Sequence, residues 1–322
     1  MRKLGVIAAV LLLAVLAGLG WFAWGWYGGS SVEEESAFTV PAGASLTSVA
    51  ALLEDAGHVD SGEAFLLRAK LLGSDDPIKA GEFLLPAGVS GSGILDILQH
   101  GEAIRRFITI PEGLPSVLVH ERLMAEDLLT GEIPVPAEGS ILPDTYDFER
   151  GESRASVVAR MQAAMTATLA ELWPQKGPRS VVATPEQAVI LASIVEKETG
   201  VARERRMVAG LYSNRVREGI MLQADPTIIY PITQGRPLGR RIRQSEIAAV
   251  NDYNTYAMVG MPKGPITNPG RASIEAVLNP AETSALFMVA DGSGGHAFAD
   301  TYAEHNANVA KWYALRRERG EM

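Results

Sequence analysis

The chain has 322 residues, room for about two domains at roughly 150 residues each, and 47% of them are apolar, which supplies a sizeable core and excludes global disorder. It contains no cysteine, which removes disulfide scaffolds, thiolate zinc sites, iron–sulfur clusters and cysteine nucleophiles in one step. Its 29 basic and 38 acidic residues give a net charge of −9, which argues against a nucleic-acid binder that works by neutralising phosphates.

Arg2 and Lys3 precede an uncharged stretch whose apolar part, residues 4–27, would make a helix about 36 Å long at roughly 1.5 Å per residue. A hydrocarbon core of about 30 Å can be crossed by such a helix with some tilt. Trp21, Trp24, Trp26 and Tyr27 crowd its far end, where amphipathic rings favour the headgroup layer. The apolar run is too long for a cleaved signal peptide and ends in aromatics and Gly28-Gly29 instead of an A-x-A site. The expectation is a cytoplasmic tail (1–3), an uncleaved single-pass transmembrane helix (4–27) and an exported remainder. Without Arg2 and Lys3 that remainder holds 27 basic and 38 acidic residues, a net −11.

Residues 28–37 read as a solvated linker around Glu33-Glu34-Glu35, and 38–101 as a small α+β module. Phe38-Thr39-Val40 looks like a strand, and Ser45 caps a helix with the apolar stripe Leu46, Val49, Ala50, Leu53. A second helix over 61–72, a strand over 79–85 and a third helix over 91–99 should follow. The opening strand–turn–helix resembles the start of a LysM-like glycan-binding module.

A larger α+β domain should occupy 102–322. It opens with a strand at 107–110 and a helix at 115–124, then a polar loop in which Pro143 forbids a helix through 138–146. Residues 153–173 place Val157, Val158, Met161, Met165, Leu169 and Leu172 on one face. Thr184-Pro185-Glu186-Gln187 is a helix start with a capping box, and the run from Ala188 to Val195 is apolar all round, so this helix should be interior. Glu196 ends that run above Ser193, Ala192 and Val189. A carboxyl against small apolar neighbours has its charged form disfavoured, as a general acid requires. The alternatives for Glu196 are an ion pair with Lys197, Arg203 or Arg206, or a solvated C-terminal turn. Glu198 is equally acidic, but lies on the stripe of Leu191 and Ile194.

Gln223, Asp225 and Thr227 follow a helix stopped by Gly219, and Tyr253-Asn254-Thr255-Tyr256 offers groups suited to sugar hydroxyls and ring faces. A rigid turn-rich loop covers 260–270, and 287–298 reads as a hairpin with a Gly-rich connection ending at His296. The five histidines have no metal-ligand spacing, and Gly292-Ser293-Gly294-Gly295 is no nucleotide loop. Ser193 lacks a nucleophile elbow.

Five segments in this order resemble the endolytic murein transglycosylase (YceG-like) family: Leu191–Thr199 with its Glu-Lys-Glu triplet, Leu222–Thr227, Tyr253–Tyr256, Gly264–Gly270 and Val289–Phe298. Pro143-Asp144-Thr145-Tyr146 matches as well. Departures are Leu114, Ser140 and Asn251-Asp252. The resemblance implies cleavage of the β-1,4 bond between N-acetylmuramic acid and N-acetylglucosamine within glycan strands, leaving 1,6-anhydro ends. It maps the catalytic glutamate onto Glu196; Gln223, Asp225, Tyr253, Asn254 and Tyr256 are the candidates for positioning the sugars and stabilising developing positive charge. It implies no cofactor or metal, a cytoplasmic (inner) membrane location with the catalytic domain extracytoplasmic, peptidoglycan as substrate, peptidoglycan synthases as partners, and a role in ending strand elongation. Two alternatives remain: glycan hydrolysis with Asp225 as water-activating base, and a tethered peptidoglycan-binding scaffold without catalysis.

Overall fold

The computed structural model describes residues 2–28 and 32–321. Helix and short strands are mixed, as an α+β chain requires, and the residues divide into two compact units, 1–106 with 147–151, and 107–146 with 152–322.

The first unit begins with α1 (Arg2–Tyr27), apolar and long enough over Val6–Tyr27 to cross a membrane. Its outer face is bare: Leu11, Leu13 and Leu19 are all exposed. The far end departs from a plain aromatic belt. Trp26 is only 1% exposed and packs at 5.6 Å from the Phe65 ring, with Gly91 pressed against its indole. The last turn of α1 is therefore part of the unit's core.

β1 (Ser36–Val40), α2 (Leu46–Asp55), α3 (Gly62–Leu72), β2 (Gly81–Leu85) and α4 (Gly91–His100) follow. β1 and β2 pair antiparallel with Phe38 opposite Phe83, and the buried residues of α2, α3 and α4 close over them. Ser45, Ser61 and Ser90 each accept a hydrogen bond from a backbone N–H in the first turn of the helix they start, the orphan donors a serine cap satisfies. β3 (Arg105–Thr109) and β4 (Thr145–Glu149) form a second two-stranded pair, and the division between the units falls within both strands.

The second unit contains α5 (Ser116–Met124), α6 (Arg154–Leu172), α7 (Pro185–Glu198), α8 (Arg205–Glu218), α9 (Asp225–Thr233), α10 (Gln244–Ile247), α11 (Arg271–Leu278), the hairpin β5 (Phe287–Ala290) with β6 (His296–Ala299), and α12 (Tyr302–Glu318). α7 is interior as its sequence dictates. Ala188, Leu191, Ala192, Ile194 and Val195 have no exposed surface, and α8 and α11 pack against them. Thr184 caps α7, but Gln187 turns its side-chain oxygen to the Ala183 N–H at 2.7 Å, one residue earlier than a capping box would. Five elements were not foreseen, α10 and α12 among them. β4 follows directly on the Pro143 loop, α9 begins at Asp225-Pro226, and α11 begins beyond Gly270.

Candidate active site

The two glutamates near the end of α7 point to different surroundings, because two residues of helix turn a side chain by about 200°. Glu196 has a side chain 5% exposed. One oxygen accepts from the Gly270 N–H at 2.9 Å, at the N-cap of α11. Its other oxygen lies 3.7 Å from Arg205, which also binds Glu112 at 2.9 Å. Gly113 (φ 72°) packs on the Glu196 side chain, and Lys197 reaches the Gly113 carbonyl. An anion at a helix N-terminus, paired with an arginine, is the arrangement of a structural tie, here joining α7, α11 and the turn at 111–113.

Glu198, the last residue of α7, instead borders a cleft of about 360 Å³ together with Tyr212, Arg215, Gln223, Asp225 and Tyr256. Burial drives its pKa up to about 7, and the charge of Asp225 pushes the same way. A hydrogen bond with Tyr212 and the Arg215 charge pull less strongly against them. Its Oε1 is buried with no hydrogen-bond partner among the described residues. A carboxylic acid near half-protonation at neutral pH, with an unused oxygen at a cleft, can deliver a proton to a bound ether oxygen and take one back.

The groups around it are held from behind. Arg215 donates to the carbonyls of Leu286, Met221 and Leu222 and to the Gln223 side-chain oxygen, and lies over the Phe287 ring. Gln223 is one of two non-glycine residues with positive φ among those described (54°), and its N–H donates to Thr255 O at 3.0 Å. That strain turns the chain sharply into α9, where Asp225 sits in the first turn. Tyr256 donates from its hydroxyl to Asp225 at 2.7 Å. Beneath this pair, the buried hydroxyls of Thr227 and Thr255 lie 2.8 Å apart and tie α9 to the 253–256 loop.

Thus the structure brings Gln223, Asp225 and Tyr256 together, but around Glu198, with Glu196 outside the cleft. Asn254 does not line the Glu198 cleft. It is fully buried, donates to the carbonyls of Glu246, Ile247 and Ala249, and accepts from the Tyr256 N–H. Its place is to shape the loop that presents Tyr256. Tyr253 also lies apart from the Glu198 cleft. Its ring packs 4.9 Å from Tyr230, which bonds Glu138. Glu138 accepts from the Ser116 N–H at 2.8 Å and from Asn268, and burial raises its pKa. Asn251 accepts from the Tyr253 and Asn254 N–H groups, so it nucleates this turn. His296 bonds Glu204 at 2.9 Å through Nδ1, fixing the β5–β6 hairpin to the turn beyond α7.

Tyr212, Arg215 and Glu198 itself are the residues that sequence reasoning missed for this cleft. The available signal was the stripe of Glu198, since Leu191 and Ile194 beneath it are fully buried.

An interior helix thus ends in a buried carboxyl that faces an Asp–Tyr pair across a cleft, in a chain of mixed helix and strand. The chain belongs to the YceG-like family, which matches residues 38–311. A protein of Bacillus subtilis (strain 168) named endolytic murein transglycosylase is 25% identical, covering 89% of each chain. One of the same name from Streptococcus pneumoniae serotype 2 is 27% identical over 96% of this chain and 65% of its own length. Among solved structures, a YceG-like protein from Listeria monocytogenes aligns with a TM-score of 0.53 at 25% identity, over 85% of this chain and 98% of that one.

Proposed function

We propose that this chain is a membrane-anchored endolytic lytic transglycosylase of peptidoglycan, with Glu198 as its single acid/base. The observation that carries this reading is the Glu198 carboxyl: buried, raised to about 7, and facing Asp225, Tyr256 and Gln223 across a cleft. Protonated Glu198 gives its proton to the oxygen between muramic C1 and the next glucosamine. The C1–O bond breaks, and positive charge develops at C1, stabilised by the Asp225 carboxylate that Tyr256 holds in place. Glu198, now a carboxylate, takes the proton of the muramic C6 hydroxyl as that oxygen bonds to C1. The 1,6-anhydro ring closes, no water is consumed, and Glu198 returns to its starting form. The names of the two relatives support peptidoglycan as the substrate class.

Two variants test the assignment on purified glycan strands. Glu198→Gln should lose on the order of 10²- to 10⁴-fold in rate, the contribution of a positioned acid/base. Glu196→Gln, if it folds, should keep a measurable share of the activity. The reverse ranking would return the role to Glu196.

Hydrolysis is the second reading, favoured by the nearness of Asp225 to Glu198, since two carboxylates are what a hydrolase needs. Mass spectrometry of the products separates the two, because anhydro ends are one water lighter than reducing ends. A scaffold without catalysis would have no use for a carboxyl held near 7.

The remaining assignments rest on the same reading. In the first unit, the strand–helix–helix–strand order of β1, α2, α3 and β2 supports a LysM-like glycan contact over residues 38–101. Arg2 and Lys3 support a cytoplasmic N-terminus and an extracytoplasmic site in residues 102–322. Cutting nascent strands beside the membrane would end their elongation and would bring the protein near peptidoglycan synthases.

A further inference from the structure

We propose that α3 of the first unit is a second, interfacial membrane contact, which seats Arg68 on the phosphate of a phospholipid headgroup in the leaflet where α1 emerges. The inference rests on reading α1 as a membrane span.

The Arg68 guanidinium lies 5.9 Å from the Trp21 ring centre and 5.5 Å from that of Phe22. Gly25 leaves the space for it, since a Cβ there would stand 2.4 Å from a guanidinium nitrogen. Arg68 Nε is buried with no hydrogen-bond partner among the described residues. Trp21 lies six residues before Tyr27, about 9 Å down the helix axis. If the membrane boundary is at Trp21 and Phe22, residues 4–20 remain inside it, about 26 Å of helix against a hydrocarbon core of about 30 Å. Arg68 is therefore at headgroup depth, where arginine and aromatic side chains both belong.

Flanking Arg68, α3 presents two exposed leucines. Leu67 and Leu71, one helical turn apart, are 52% and 65% exposed, while Phe65 and Ala69 on the opposite side are buried in the unit's core. Lys70, exposed between the two leucines, adds a second cation. A bilayer edge would cover these two leucines. Beside Arg68 a groove of about 740 Å³ is walled by Trp21, Trp24 and Trp26 and also carries Glu33 and Asp60. A headgroup with an ammonium next to its phosphate, as in phosphatidylethanolamine, matches both signs.

The test uses the full chain in vesicles of phosphatidylethanolamine and phosphatidylglycerol. The chain has no native cysteine, so Leu71→Cys can carry a single NBD label, with Tyr313→Cys as the water-exposed reference. Doxyl lipids should quench the label at Leu71, and iodide should quench it at least two-fold less than the label at Tyr313. In the Arg68→Gln background the doxyl quenching should fall by about half, whereas in Arg68→Lys it should persist. Equal iodide access at both positions, in protein that resists carbonate extraction, would overturn the docking. Quenching unchanged by Arg68→Gln would overturn the phosphate contact. Protein stripped from the vesicles by carbonate would overturn the span and, with it, this contact.

Discussion

Because burial and the Asp225 charge hold the Glu198 carboxyl near 7, against 4.5 for an ordinary glutamate, the native state binds that proton more tightly than the unfolded chain does. The stabilising contribution of this group is complete below pH 4.5, declines as pH rises from 4.5 to 7, and is gone above 7. At one kcal-scale step of about 1.4 per pH unit, the whole effect is a few kcal/mol at most. Glu198→Gln should therefore melt at higher temperature than the parent at pH 8, with the gap closing by pH 4. Calorimetry at the two pH values checks this. On the proposed mechanism, in which the acid form starts the reaction, activity carries the same signature, and kcat/KM should fall as pH rises past about 7. Asp225→Asn removes a negative charge that favours the protonated acid, so the alkaline limb should move to lower pH. An unmoved limb would mean that Asp225 does not act on this carboxyl. Which glutamate occupies the cleft was readable in principle. A general acid wants the buried stripe, and Leu191 and Ile194 marked it. Small neighbours at Ser193 and Ala192 suggested space above Glu196, but the backbone of the 260–270 loop fills it, with Gly270 donating to the carboxylate. Nothing local in sequence announces a partner 74 residues away.

At the scale of elements, the legible parts were those with an uninterrupted period or an explicit cap. α2, α4, α6 and α7 each follow a Ser or Thr whose oxygen receives a first-turn N–H, and most of their predicted apolar positions are buried, although Val158 and Leu169 of α6 are only half-buried. α9 was hidden because its two prolines look like loop residues. In fact Pro226 occupies the first turn, where its missing N–H costs nothing, and Pro231 falls near the helix end. β4 was hidden because strand pairing is a long-range property, and its partner β3 lies some forty residues earlier (residues 105–109 against 145–149). The 253–256 loop shows the same limit. Its polar side chains suited sugar, yet Asn254 is spent on four backbone groups. Asn254→Ala would orphan these groups, each at a cost of about 1–3 kcal/mol where no water reaches. The variant should melt several degrees lower and lose activity through a displaced Tyr256. Tyr256→Phe should keep the parent melting point and lose activity alone. Matched melting scans and rates on both variants separate shaping from contact.

For the whole molecule, composition and the N-terminal apolar run predict an anchored chain with two folded parts, and the described residues form two core clusters. What no composition argument could give is where the anchor ends. Twenty-four apolar residues look like one span, but the structure divides them: the first part is bare of protein, and Trp26 is enclosed. A side chain committed to a core has lost the freedom to sit in lipid. Replacing Trp26 with Ala should destabilise the first unit by about 3–5 kcal/mol, the usual cost of emptying a buried aromatic site, and leave the Glu198 chemistry of the second unit intact. Separate melting transitions of the full chain in detergent would report this.

The enclosed indole has a consequence for biogenesis. A chain cut at residue 31 to make a soluble form also loses a piece of the first unit's interior, so Phe65, Ile94 and Gly91 would face a vacancy that water or a second molecule must fill. Such a form should aggregate or expose protease sites in residues 38–101, whereas a chain starting a few residues before Trp26 should not. In the intact protein the same dependence orders events in time. On the proposed reading of α1 as a membrane span, the first unit cannot close until the helix has delivered its final turn, so completion of the fold would be a record that insertion took place.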